Sequence, residues 1–147
     1  MDEQILDCVL LLEKEWEKKK IQLELNLVPI TIRQNGEMLQ HIWINLISNA
    51  VKFTPEGGTV SVSATENESM VFVTVKDNGI GMTEEEMKRI FDKCYQGDRS
   101  RSREGNGLGL CIVKRVCTLA GGSISVRSKP GKGSTFSVIL PKGCEKD

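Results

Sequence analysis

Histidine is almost absent: His41 is the only one in 147 residues. Aromatic residues make up 5%, so base stacking on exposed rings is not expected. Net charge is lacking too, because 20 Lys and Arg balance 20 Asp and Glu. That balance speaks against nucleic acid or an anionic membrane as the main partner. No apolar run approaches membrane-spanning length. The N-terminus, Met1-Asp2-Glu3-Gln4, is acidic where a secretion signal would be basic. A cytoplasmic domain with no membrane contact of its own is expected. The five cysteines are odd in number and lack a Cys-x-x-Cys pair. They read as small buried hydrophobes in a reducing compartment, not as a disulfide frame or zinc site. The length suits one domain over residues 1–147 with a core of its own.

The stretch His41 to Thr54 organises what is present. Leu39, Ile42, Leu46, Ala50 and Phe53 recur at helical spacing, and Trp43 and Ile47 widen the stripe. Asn45, Asn49 and Lys52 fall within about 60° of one another on a helical wheel. They line the edge of the stripe, where a buried amide costs free energy unless it is paired. Two readings stand. One is a solvated flank with ordinary helix asparagines. The other is a surface that meets an oxygen-liganded cation and a phosphate.

Around this helix the chain alternates between two periods. Gln4 to Lys20 has an amphipathic helical pattern through Ile5, Val9, Leu12 and Trp16. Ile21 to Val28 alternates as a strand, and Ile30 to Arg33 could add a short edge strand. Asn35 can cap the central helix, and Pro55 should end it at Thr54. Val60 to Thr65 and Met70 to Lys76 read as a hairpin. Thr83 and Glu86 fit a capping box that opens a short helix. Residues 92 to 107 are nearly devoid of apolar side chains, and a structureless loop of that length suits a lid. A helix runs on to Leu119, and Ser123 to Ser128 and Ser134 to Leu140 are the last strands. The polar tail from Lys142 should fray.

Two glycine-rich stretches interrupt this pattern. Asp77-Asn78-Gly79-Ile80-Gly81 follows a strand, and its glycines would let the backbone pass close to something flat or bulky. Asp77 could merely cap its own loop. Ionised, it offers only acceptors, which suit the amino group of adenine and oppose the carbonyl of guanine. A mismatch of that kind costs roughly 1–3 kcal/mol. Gly105-Asn106-Gly107-Leu108-Gly109-Leu110 enters a helix, and such a start can cradle a phosphate. It lacks the preceding strand of a dinucleotide fingerprint and the Gly-Lys-Ser/Thr ending of a P-loop.

Taken in order, these motifs closely resemble the ATP-binding catalytic domain of two-component sensor histidine kinases. That domain shares a superfamily with gyrase, mismatch-repair and chaperone ATPases. The resemblance covers nearly the whole chain. Asn45 and Asn49 match its N box, Asp77 to Gly81 its first glycine box and Gly105 to Gly109 its second. Phe91 to Tyr95 stands at the F box, and Gly131-Lys132-Gly133-Ser134-Thr135-Phe136 looks like the last glycine-threonine element.

The resemblance implies an α+β fold: a two-layer α/β sandwich whose mixed five-stranded sheet carries about three helices on one face. It implies a flexible ATP lid at about 92–106. Asn49 would ligate Mg²⁺ through its amide oxygen, with Asn45 beside it near the phosphates. Lys52 would face the phosphates, and Phe53 and Tyr95 would border the nucleotide. Asp77 would hold the adenine amino group with support from Thr135, flanked by Gly79, Ile80 and Gly81. Gly105, Gly107, Leu108, Gly109 and Leu110 would cradle phosphates. Asn45 and Lys52 would serve the chemistry. The implied activity is donation of the γ-phosphoryl group of Mg-ATP to a histidine on a separate dimerisation and phosphoacceptor domain, which in turn serves a response regulator.

The sequence departs from the family pattern in two places. Lys93, Cys94 and Gln96 stand where the F box usually carries a second aromatic and arginines. The phosphoacceptor histidine is missing, since His41 sits on the proposed nucleotide helix, so the chain reads as a catalytic domain cut from a longer kinase. A hydrolase of the gyrase and chaperone kind and a binding-only regulatory domain are the competing readings. The first would carry a glutamate where Asn45 stands.

Overall fold

The computed structural model describes residues 1–92 and 109–143. Helices α1 (Asp2–Leu11) and α2 (Glu13–Lys18) precede strand β1 (Gln22–Leu27) and the long helix α3 (Gly36–Phe53). The hairpin strands β2 (Thr59–Glu66) and β3 (Met70–Asp77) come next. Helices α4 (Glu84–Arg89) and α5 (Gly109–Leu119) and strands β4 (Ser123–Lys129) and β5 (Gly133–Pro141) complete the described chain. The sheet order is β1-β2-β3-β5-β4. β1 runs parallel to β2, and the remaining pairs are antiparallel. This is the expected mixed five-stranded sheet of an α+β sandwich.

Alternation decides which side is buried. Val60, Val62 and Ala64 of β2, Val71, Val73 and Val75 of β3, and Phe136, Val138 and Leu140 of β5 share the inner face. Helices α1, α3 and α5 cover that face, and Trp43, Leu46 and Ile47 of α3 are each 1% exposed. Burying one such side chain contributes about 1.5–3 kcal/mol. The Trp43 indole N–H donates to Gln4 Oε1 at 2.8 Å, so α3 is tied to α1 without an orphaned donor.

The ends of α3 are fixed by side chains. Asn35 Oδ1 accepts from the Met38 amide at 3.0 Å, the expected N-cap. At the other end Thr54 Oγ1 donates to the Ala50 carbonyl. Lys19 Nζ donates to the Val51 and Lys52 carbonyls at 2.8 and 2.9 Å. A cation there also favours the negative end of the helix dipole. The Thr83–Glu86 capping box of α4 is present as expected.

Three expectations are corrected. The first helix breaks at Leu12, where the Trp16 indole donates to the Val9 carbonyl at 2.9 Å. An unbroken helix would give that carbonyl to residue 13. Ile30 to Arg33 forms no strand. Instead the Ile30 amide donates to Asp2 Oδ1 and the Arg33 amide to the Lys142 carbonyl. Lys142 is not frayed: its amide donates to the Ser69 carbonyl and its ammonium pairs with Glu66 at 2.6 Å.

Cys8 and Cys117 are buried, and burial pushes both thiols up to about 11. They are inert hydrophobes, as the sequence suggested. Cys111 is half-buried, and Cys94 and Cys144 lie outside the described residues. Among the described residues no helix is long and apolar enough to cross a membrane.

Candidate nucleotide site

Three segments meet along the polar flank of α3. The first is the loop 77–81 at the end of β3. It lies against the C-terminal end of α3, where the Ile80 amide donates to the Phe53 carbonyl at 3.3 Å. On its other side the Gly131 amide donates to the Ile80 carbonyl at 2.7 Å, which joins the loop to the β4–β5 turn. The second is the α3 flank itself, with Asn45, Asn49, Lys52 and Phe53 all half-buried. The third is the first turn of α5. A Cβ added at Gly109 would stand 2.9 Å from Asn45 Oδ1. Asn45 Nδ2 donates back to the His41 carbonyl at 2.6 Å, which turns the amide oxygen toward α5.

The glycines have a physical reason that the sequence did not show. A Cβ at Gly79 would be 2.2 Å from the Phe53 carbonyl oxygen. At Gly81, with φ +70°, it would be 1.9 Å from the Lys129 carbonyl oxygen. At Gly133, with φ +98°, it would be 2.0 Å from the Asp77 carbonyl oxygen. The close neighbour is therefore the protein's own backbone, packed on both sides of the loop.

Asp77 is 5% exposed, the only carboxylate among the described buried residues. Its Oδ1 accepts from the Gly79 amide at 2.9 Å, so it does cap its own loop. Burial raises its carboxyl above the ordinary range, against an opposing pull from the Gly79 and Ser134 backbone amides. An ionised carboxylate has about four acceptor positions, and two backbone donors leave it further capacity.

Strand register separates Ser134 from Thr135. Asp77 lies opposite Ser134 on β5, so their side chains share the inner face, and Ser134 is 9% exposed. Thr135 lies opposite Lys76 on one side and Arg127 on the other, on the outer face of the sheet. The expected support of Asp77 by Thr135 is corrected to Ser134. The parity of Phe136, Val138 and Leu140 could have revealed this, because Ser134 is two residues before Phe136.

The other sequence-derived positions divide in two. Lys52 Nζ lies 5.4 Å from the Phe53 ring centroid, a cation–π contact beside the loop. Leu110 is buried in the first turn of α5. Phe91, which begins the F-box stretch, packs edge-on against Phe136 with ring centroids 6.3 Å apart. Tyr95, Gly105, Gly107, Leu108 and nearly all of the expected lid lie outside the described residues. His41 is exposed on α3.

On the described flank a metal would be shared with the substrate rather than caged by the protein. Among the described residues no three His, Cys, Asp or Glu side chains gather as a cage. The Asn49 amide supplies one hard oxygen, which suits Mg²⁺ shared with substrate phosphates and water. The residues present fit that group.

Comparison with known proteins agrees with this geometry. The sequence model of the family described as histidine kinase-, DNA gyrase B- and HSP90-like ATPase matches residues 34–143. The sensor-like histidine kinase SenX3 of Mycobacterium bovis is 46% identical over 117 residues, 77% of this chain and 28% of that protein. The sensor histidine kinase WalK of Bacillus subtilis is 43% identical over 101 residues, 66% of this chain and 16% of that protein. The chain thus spans under a third of the length of these relatives. Among solved structures, the mycobacterial sensor histidine kinase MprB superimposes with a TM-score of 0.82 at 27% identity, covering 95% of this chain and 93% of that one. Full-length ShkA, solved in complex with AMPPNP, gives 0.83 at 29% identity, covering 95% of this chain and 29% of that one. The chain belongs to the histidine kinase-, DNA gyrase B- and HSP90-like ATPase family, as a catalytic domain of the sensor histidine kinase kind.

Proposed function

We propose that the chain binds Mg-ATP and donates its γ-phosphoryl group to a histidine on a separate dimerisation and phosphoacceptor domain. A response regulator would receive the group afterwards, in the cytoplasm. The observation that carries this reading is Asp77, a buried carboxylate with acceptor capacity left over, at the end of the flank that bears Asn45 and Asn49. It rests also on the relatives, which are sensor kinases, and on ShkA, which takes an ATP analogue.

Each residue has a role in this reading. Asp77 accepts from the adenine amino group, beside Gly79, Ile80 and Gly81. Phe53 borders the base. Asn45 and Lys52 orient the phosphates, and Asn49 would hold Mg²⁺, which supplies charge neutralisation for the transferred group. Gly109 and Leu110 open α5 toward the phosphates, and Gly105, Gly107 and Leu108, with Tyr95 of the lid at 92–106, would complete the cradle. From Phe53 to Asn45 is eight residues of helix, roughly 12 Å, a span that an extended nucleoside triphosphate covers. In the transfer the bond from the γ-phosphorus to the bridging oxygen breaks, a bond to the imidazole nitrogen forms, and ADP leaves.

A water-directed hydrolase fits less well. Such enzymes resemble this chain but carry a glutamate where Asn45 stands, and an amide cannot accept the proton of an attacking water. Moreover, the Asn45 amide nitrogen already donates to the His41 carbonyl. Its place is to position, not to take a proton.

The test uses γ-labelled ATP. The attacking nitrogen must come in line within about 3–3.5 Å. His41 is exposed, on the same rigid helix as Asn45 and Asn49, and cannot swing onto a phosphate those neighbours hold. The chain alone should therefore take up no label. A four-helix dimerisation domain carrying its cognate histidine, added as a separate chain, should become labelled. Label on the isolated chain that vanishes in His41→Gln would overturn the reading.

A further inference from the structure

The hydroxyl of Ser128 is where three segments of the site meet. It donates to the Gly133 carbonyl at 2.8 Å and accepts from the Met82 amide at 2.7 Å. It also lies 2.8 Å from the Ser134 hydroxyl. A serine carries one hydroxyl proton. With that proton given to Gly133, the Ser128–Ser134 bond can run only one way: Ser134 donates and Ser128 accepts. Ser134 then has no proton left to give, and it lies opposite Asp77 in the strand pairing, on the same face of the sheet. Met82 is the residue after Gly81, so the same hydroxyl also fixes the exit of the loop that Asp77 begins.

From this geometry we propose that Ser128 is a positioning residue for the base-binding end of the site. It sets the polarity of Ser134, leaving it an acceptor beside Asp77, while its bond to the Met82 amide bears on stability and is read in the melting temperature. Two neighbouring acceptors, Asp77 and Ser134, then present themselves to a donor-bearing base edge or to a water bound there. This deepens the ATP-site reading and rests on it. Without Ser128 the Ser134 proton is released and can turn onto the Asp77 carboxylate. That would use up acceptor capacity on Asp77 and turn the Ser134 lone pairs to a new direction.

The test is calorimetric titration with ADP of Ser128→Ala, Ser128→Thr, Ser134→Ala and the double alanine variant, with thermal melts alongside. Loss of one net hydrogen bond's worth of organisation predicts roughly fivefold to tenfold weaker ADP binding for Ser128→Ala. Ser128→Thr keeps the hydroxyl and should bind within about twofold of the unmodified chain. In the Ser134→Ala background, Ser128→Ala should cost no further affinity, because its effect passes through Ser134. A merely structural role would lower the melting temperature and leave the two losses additive. Additive losses, or unchanged affinity in Ser128→Ala, would overturn the proposal while leaving ATP binding intact. Absence of ADP binding by the unmodified chain would instead sink the site reading beneath it.

Discussion

Asp77→Asn should weaken ADP and ATP binding by a factor of about 5 to 150, the equivalent of roughly 1–3 kcal/mol for a mispaired buried group. The amide oxygen can still accept from Gly79, so the loop keeps its turn. What changes is the second oxygen, which becomes a donor where the proposed adenine amino group would sit. Stability should move the other way. Burial holds the Asp77 carboxyl above the ordinary carboxylate range. Between the ordinary pKa and the raised one, the native chain therefore binds a proton that the unfolded chain does not. This group's contribution to stability is largest in acid and falls as pH rises through the raised pKa. At neutral pH the ionised form is a cost that the amide variant avoids. Nucleotide-free Asp77→Asn should therefore melt at or above the temperature of the unmodified chain at pH 7, and the gap should narrow on acidification. A variant that binds ADP normally would remove Asp77 from the site. One that melts well below the parent at pH 7 would contradict the burial argument.

Gly133→Ala should be among the most damaging single-methyl changes in the chain. The comparison is Gly131→Ala, two residues earlier. Both positions have positive φ, +78° at Gly131 and +98° at Gly133. At Gly131 nothing lies within 4 Å of the added carbon, so the cost is that of the left-handed backbone alone. That is roughly 1–2 kcal/mol, or about 3–6 °C in melting temperature for a domain of this size. At Gly133 the added carbon meets the Asp77 carbonyl oxygen at 2.0 Å. Backbone cannot rotate away as a side chain can. Relief requires parting β3 from β5 at the Asp77–Ser134 pair, so roughly 10 °C or more should be lost, with nucleotide affinity falling as well. Equal thermal losses in the two variants would show that the close approach does not constrain this turn.

What the sequence showed and what it hid follow from how far each signal reaches. The Asn35 cap and the Thr83–Glu86 capping box are local, set by residues three apart, and both stand as expected. The apolar stripe of α3 was legible for the same reason. The place of β5 between β3 and β4 is a long-range pairing that no local pattern encodes. The resemblance pointed to Thr135 as the support of Asp77, although the local alternation of Phe136, Val138 and Leu140 puts Ser134 on the inner face. The glycines at 79 and 81 were legible as close approaches, and Gly133 only as part of a turn. What they approach, the Phe53, Lys129 and Asp77 carbonyls, lies far along the chain. The break at Leu12 was hidden because Ile5, Val9, Leu12 and Trp16 keep helical spacing across it. Only the indole bond to Val9 reveals it.

Asp77 is proposed to hold the adenine of ATP. Parallel calorimetric titrations of the chain with Mg-ATP and Mg-GTP test it most directly. Two facing acceptors should penalise guanine by roughly 1–3 kcal/mol. ATP binding should be measurable and GTP binding at least about tenfold weaker. Equal affinity for the two nucleotides would contradict that assignment.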